Sequence, residues 1–378
     1  MIDGPPPKPA VEIVAPAANE VSFGRVVVRV PRNAARVRIS ASGRVLGVVR
    51  DPGRRVKLRV KLPRGDLALR VAVFDRQGRK LGMARVGHVY GLPQQRVSSS
   101  ARRLDRPLAR KLNGIVASFD GAIAYYVQDL TSGRGAARNA GVAFPAASTL
   151  KLAIGIAAMR QFDGPPEPGS LADILIRRAL IYSDNEAANA LETLIGGSTT
   201  GGSALVNALM RDLGLTQTDM YGGYLTGGEG RRARAAAAAF IPIAVRYQPT
   251  YPTGKRTTAA DLGRLTGALH HAALGRGPLA GLANGRVSPR EARYLLYVLL
   301  HSSDPGSLGD LLPASAGVAQ KSGWLATVRH VNGVVYTSAG TFVATVLTWH
   351  PRSVSVVAAH RAAARLSLAM ARYVRRDS

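Results

Sequence analysis

From residue 11 to about residue 90 the chain alternates apolar and polar positions with a period of two. VEIVAP, GRVVVRV, ARVRISA, RVLGVV, RRVKLRVKL, DLALRVAVFD and KLGMARVGHVY all read this way. Such alternation marks strands that turn one face to a core and one to water. Turn-forming runs separate them: PRN, SG, DPG, PRGD and RQGRK. About seven short strands at roughly ten-residue spacing predict a small all-β sandwich of Ig-like architecture over 11–92, following a disordered tail at 1–10.

The polar stretch GLPQQRVSSSARR interrupts the alternation and predicts a linker over 93–106. A second domain is expected over 107–378, where the period changes. LDRPLARKLNGIVASF is an amphipathic helix, and AIAYYVQDLTSGRGAARN is two strands around a Ser-Gly turn. FPAASTLKLAIGIAAMRQ is a nearly continuous apolar helix, and a second helical region runs from LADILIRRALIY to ANALETLIGG. A long Gly- and Ala-rich span covers 196–240. Two or three strands follow in GVAQKSGWLATVRHVNGVVYTSAGTFVATVLTWH, and AAHRAAARLSLAMARYV closes the chain as a helix. Strands on either side of a helical insert predict an α+β domain, an antiparallel sheet covered by helices.

Composition narrows the chemistry. With no cysteine among 378 residues, disulfides, thiol nucleophiles and Cys-ligated zinc are excluded. The paired His270 and His271 point about 100° apart on a helix, and no His-Glu-x-x-His spacing occurs, so no metal site is expected. Neither a P-loop nor a Gly-x-Gly-x-x-Gly is present, and no cofactor is expected. No apolar run is long enough to span a bilayer. The net charge is +28, and residues 1–100 hold 20 Lys and Arg against 6 Asp and Glu, half of that excess. A field of this sign attracts polyanions. The basic residues alternate with valines and are not interleaved with aromatics, which disfavours nucleic acid. An anionic cell-wall polymer is the expected partner of the first domain, with anionic lipid and a charge merely spread over solvated faces as the alternatives.

Three short clusters carry candidate chemistry. Only 8 of the 51 basic residues are lysine, yet Lys151 stands in the apolar helix three places after Ser148. Residues three apart share a helix face, so the amine can serve the hydroxyl as a base, a role arginine cannot fill. Ser183, Asp184 and Asn185 open a helix in YSDNEAAN. Lys321, Ser322 and Gly323 open a strand in KSGW. Any one of these could be an ordinary surface feature. All three together, in this order, resemble the penicillin-recognising serine hydrolases, and specifically the class A β-lactamase-like group. The resemblance runs from about Leu108 to the C-terminus, through VQDLTSGRGAARNAGVAFPAASTLKL, GKRTTAADLGRLTGAL and VVYTSAGTFVATVLT.

That resemblance implies a β-lactam or peptidoglycan-like amide as substrate and an acyl-enzyme on Ser148. Lys151 would be general base or part of the relay, and Ser183 would pass a proton to the leaving nitrogen. Asn185 would bind the substrate amide, while Lys321 and Ser322, followed by Gly323, would bind its carboxylate, with Lys321 also acting in catalysis by lowering the pKa of Ser183. The backbone N–H groups of Ser148 and Trp324 would form the oxyanion hole. The family's Ω-loop glutamate, which activates the deacylating water, has no match in LGLTQTDMYGGYLTGGEG. Glycine, around Gly222, stands in its place; Asp219 falls early, and Glu229 lies in an unlike setting. Asn189, which in the family helps to hold that glutamate, is present. A DD-peptidase- or esterase-like enzyme, a penicillin-binding protein with slow deacylation and a silent wall-binding fold are therefore the alternatives. The opening segment lacks a signal-peptide layout. An extracellular, periplasmic or cell-envelope location is expected from the resemblance alone, against a cytoplasmic one.

Overall fold

A computed structural model of the chain describes residues 11–95, 103–225, 239–240, 250–251, 255–283, 285–303 and 308–374. The chain divides into two compact units between residues 94 and 95, and each is described by itself.

In the first unit the strands are β1 (Glu12–Ala15), β2 (Glu20–Ser22), β3 (Arg25–Arg29), β4 (Arg36–Ala41), β5 (Arg44–Arg50), β6 (Arg55–Arg59), β7 (Gly65–Phe74) and β8 (Lys80–Gly91). They form a three-stranded sheet, β1-β3-β6, and a five-stranded sheet, β2-β8-β7-β4-β5. The inward residues of both sheets meet in one core: Val26, Val28 and Val56 from the first, Val37, Ile39, Leu69, Val71 and Val89 from the second. The period-two pattern thus records burial on one face. Strand β2 escapes that pattern because three residues are too few to show alternation, and it pairs in parallel with β8.

The second unit opens with β9 (Arg103–Leu104), so residues expected to be linker already pair with the domain sheet. Helix α1 (Arg106–Val116) starts on Asp105, whose carboxylate accepts the Leu108 N–H at 2.8 Å. Then come β10 (Ala122–Asp129), β11 (Arg134–Arg138), β12 (Ala143–Pro145), a 3₁₀ turn (Ala147–Leu150), α2 (Lys151–Met159), α3 (Leu171–Ile181), α4 (Asn185–Gly196) and α5 (Thr199–Asp212). After two short paired strands, β13 (Ala239–Phe240) and β14 (Thr250–Tyr251), follow β15 (Arg256–Thr258), α6 (Ala259–Ala273), α7 (Pro278–Gly281) and α8 (Pro289–Leu300). The chain ends with β16 (Gly317–Leu325), β17 (Val328–Tyr336), β18 (Thr341–Trp349) and α9 (Val356–Val374).

The main sheet has the order β16-β17-β18-β10-β11-β9, antiparallel except where β9 joins β11. Leu108 and Leu112 of α1 and Leu366 and Met370 of α9 cover one face, packing on Tyr125, Val127 and Val346. Helix α6 and the helical insert lie on the other. Every residue of α2 is buried, which is why that helix is apolar all round beyond its first residue, Lys151. The Gly- and Ala-rich span contains an unexpected helix, α5. Its glycines serve contact with α4: a Cβ on Gly202 would stand 2.5 Å from the Glu192 Cβ.

Candidate active site

The three motifs come from three separate elements and converge at the edge of the main sheet. Strand β12 pairs with β15 and delivers the chain into the 3₁₀ turn that carries Ser148. Ala147, just before it, has φ +48°, and Ser183 has φ +58°. Non-glycine residues in this region are uncommon and hold strain, which tends to collect at functional sites. His330, on β17, pins the entry. Its Nδ1 accepts the Thr348 N–H at 3.2 Å, which leaves the proton on Nε2 to donate to the Pro145 carbonyl at 2.7 Å. Burial pushes this imidazole down to about 4, so it stays neutral.

Strand β16 is the sheet edge that meets the turn. A Cβ on Gly323 would lie 2.9 Å from the backbone nitrogens of both Ser148 and Thr149, so only glycine lets the strand approach so closely. Lys321 is fully buried and donates to the Ser322 carbonyl at 3.0 Å. It stands opposite Asn332 in the register, and Thr266 and Thr345 hold Asn332 in place. Ser322 and Trp324 point to the other face with their register partners Val331 and Arg329. Trp324 is 60% exposed, and the Arg329 guanidinium lies 5.1 Å from its ring centre. A cavity of about 240 Å³ opens there, lined by Ser322, Gly323, Trp324, Arg329, His360 and apolar residues of α9. It adjoins the site through β16 but does not reach Ser148.

Lys151 makes the link to the second motif. Fully buried, its amine donates to the Ser183 carbonyl and, at 2.6 Å, to Asn185 Oδ1. Asp184 is structural. It caps α4 by accepting the Ala187 N–H at 3.1 Å, and it pairs with Arg178. Although burial raises its carboxyl, those contacts win and hold it low.

The segment 219–225 corrects the expectation of a glycine in the glutamate's place. Asn189 grips the backbone of Tyr224, not of Gly222: its Oδ1 accepts the Tyr224 N–H at 2.5 Å and its Nδ2 donates to the Tyr224 carbonyl at 2.7 Å. The Tyr224 ring centre stands 4.6 Å from Lys151 Nζ and 5.0 Å from Lys255 Nζ. Burial drives its phenol well above the ordinary value, so it is a neutral group. Asp219 is occupied elsewhere, bridged to Arg256. Glu229 lies outside the described residues.

Beneath this segment is a polar cluster that the motifs did not reveal. Lys255 donates to the carbonyls of Tyr221 and Gly223 at 2.7 and 2.6 Å. Glu192 is completely buried, accepts the Ser203 hydroxyl at 2.9 Å, and leaves Oε2 unpartnered. Burial raises its carboxyl to about 7, with Ser203 and Lys255 opposing. Burial likewise lowers Lys255, and Glu192 opposes that. The sequence does carry a signal for it: Asn185, Asn189 and Glu192 stand at i, i+4 and i+7, one face of α4.

This sheet, with a serine turn at its edge and a buried lysine beside it, is the fold of the β-lactamase-like serine enzymes. The chain belongs to the Beta-lactamase enzyme family, whose sequence model matches residues 107–164 and 170–374. A comparison with curated proteins gave no match. Among solved structures the chain is similar to PBP-A, at 19% identity and TM-score 0.55, over 73% of this chain and 100% of that one. It is similar to a β-lactamase from Chitinophaga pinensis, at 17% identity and TM-score 0.54, over 70% and 98%. An ancestral class A β-lactamase matches at 20% identity and TM-score 0.52, over 70% and 99%. These likenesses establish the fold.

Proposed function

We propose that the second domain is a serine-acylating hydrolase that opens a β-lactam or peptidoglycan-like amide and releases the acyl group slowly. Ser148 Oγ attacks the carbonyl carbon, the C–N bond breaks, and the serine proton travels through Lys151 and Ser183 to the leaving nitrogen. Asn185 binds the substrate amide, Lys321 its carboxylate, with Ser322 turned to the α9 face of the sheet, and the Ser148 and Trp324 N–H groups the developing oxyanion. The observation that carries this reading is the junction of the motifs: Lys151 bonds both Ser183 and Asn185, while Gly323 lies against the Ser148 amide. Slow release follows from Tyr224, a neutral phenol where a base for water would be needed. The reading also agrees with a PBP-A variant of similar fold, solved as an acyl-enzyme complex with penicillin G.

The test is labelling with a fluorescent penicillin, then a chase. Wild type should retain the label for hours and Ser148→Ala should take none. Rapid release would replace slow deacylation by an efficient β-lactamase, and equal labelling of both forms would sink the nucleophile assignment. The same reading places the protein in the cell envelope or outside the cell. Recovery of the native protein from cytoplasm alone would refute that placement.

A further inference from the structure

The outer face of the five-stranded sheet in the first unit carries basic residues in register. Three rows run across strands β5, β4, β7 and β8. Arg50, Arg36, Phe74 and Lys80 form the first, Val48, Arg38, Ala72 and Met83 the second, and Val45, Ser40, Arg70 and Arg85 the third. Arg36 stands directly opposite Arg50, and Arg70 opposite Arg85. Like charges in such pairs destabilise a sheet, and no carboxylate lies in these three rows to relieve them. The face's one carboxylate within the paired strands, Asp66, sits farther along β7, past Ala68, beside Tyr90.

The face also has shape. A cavity of about 580 Å³ opens between the β4–β5 hairpin and β7, lined by Arg38, Arg70, Ser40, Ser42, Val45 and, at one end, Asp66. Two arginines and two serine hydroxyls in one lining suit a phosphodiester, which guanidinium binds through paired N–H groups. Val45 in the cavity wall and Val48 and Met83 beyond it are 56%, 49% and 58% exposed, apolar surface on which the carbons of a polyol can rest. Charges repeat about 5 Å across the strands and ~7 Å along them, a spacing that a flexible linear polyanion can follow. Base stacking is poorly served. Phe74 and Tyr90 are half-buried, and Arg36 and Arg38 cover Phe74 with their guanidiniums 4.7 and 5.4 Å from the ring centre.

We infer that this face is a docking site for an anionic cell-wall glycopolymer, a phosphodiester-linked polyol chain whose phosphates seat at Arg38 and Arg70. The opposite sheet supplies an internal control. Arg55 and Arg59 are also exposed and basic, so reversing either pair changes the net charge equally.

The experiment measures binding of the full-length chain to poly(glycerol phosphate) at about 150 mM salt, where long-range attraction is damped. Arg38→Glu/Arg70→Glu should weaken binding about tenfold or more, and Arg55→Glu/Arg59→Glu by less than about threefold. Arg38→Gln/Arg70→Gln should reproduce the loss with a smaller change of charge, and thermal unfolding reports whether each variant is folded. Equal losses in the two reversed pairs would overturn the site in favour of a diffuse field. A single-stranded DNA oligomer, or vesicles containing phosphatidylserine, bound as tightly as the polymer would overturn the occupant. Penicillin labelling of Ser148 should be the same in all variants, so this test stands or falls apart from the proposed chemistry.

Discussion

The Glu192 carboxyl offers a prediction whose size can be worked from the structure. It is wholly buried, its Oε2 has no partner, and burial raises it from the ordinary 4.5 to about 7. Between those two values the folded protein keeps a proton that the unfolded chain has released, so stability falls as pH rises through the window. A shift of about 2.5 pH units at 1.36 kcal/mol per unit amounts to roughly 3 kcal/mol. For a unit of this size that is a change in Tm of about 5 °C or more. Glu192→Gln keeps an acceptor for Ser203 and removes the titration. The assay is thermal unfolding of both proteins from pH 4.5 to 7.5. The variant's advantage should be small at the acid end and grow toward pH 7. The difference between the two must be read, not the wild-type curve alone, because His330 works the other way. Its imidazole is lowered to about 4, so it favours the fold increasingly from about pH 4 to 6.5. A difference that stayed constant with pH would refute the claim that Glu192 is held protonated.

Other consequences concern the active site. Tyr224→Glu would put a carboxylate where Asn189 clamps the backbone and beside Lys151; release of a bound penicillin should quicken about tenfold or more, corresponding to ~1.4 kcal/mol, and an unchanged chase would count against the assignment of this position. Gly323→Ala forces a methyl to within 2.9 Å of two backbone nitrogens, so labelling should slow about a hundredfold while the protein stays folded. Lys151→Arg keeps a positive charge but cannot accept a proton; it should abolish acylation, and appreciable labelling would exclude Lys151 as the base. Asn189→Ala removes both bonds to Tyr224 and should cost about 1–3 kcal/mol in thermal unfolding; no change in Tm would show the clamp to be inert.

Much of this protein is legible in its sequence alone. Period-two alternation determined the strands of the first unit other than β2, because burying one face of a sheet forces that pattern. Three motifs in a fixed order, carried by Ser148 with Lys151, Ser183 with Asn185, and Lys321 with Ser322, pointed to the family, because residue type and spacing are read directly from the chain. The net charge of the first hundred residues pointed to a polyanion. Tertiary structure alone decided the rest. The residue in the glutamate's place could not be found by counting along 219–225, since Asn189 sets the register through backbone bonds to Tyr224. Glu192 and Lys255 lie 63 positions apart in the sequence, and only the packing of α4 beneath the segment makes one felt by the other. The basic rows exist only once β4 is paired with β5 and β7, because strand register, not sequence order, decides which arginines stand side by side.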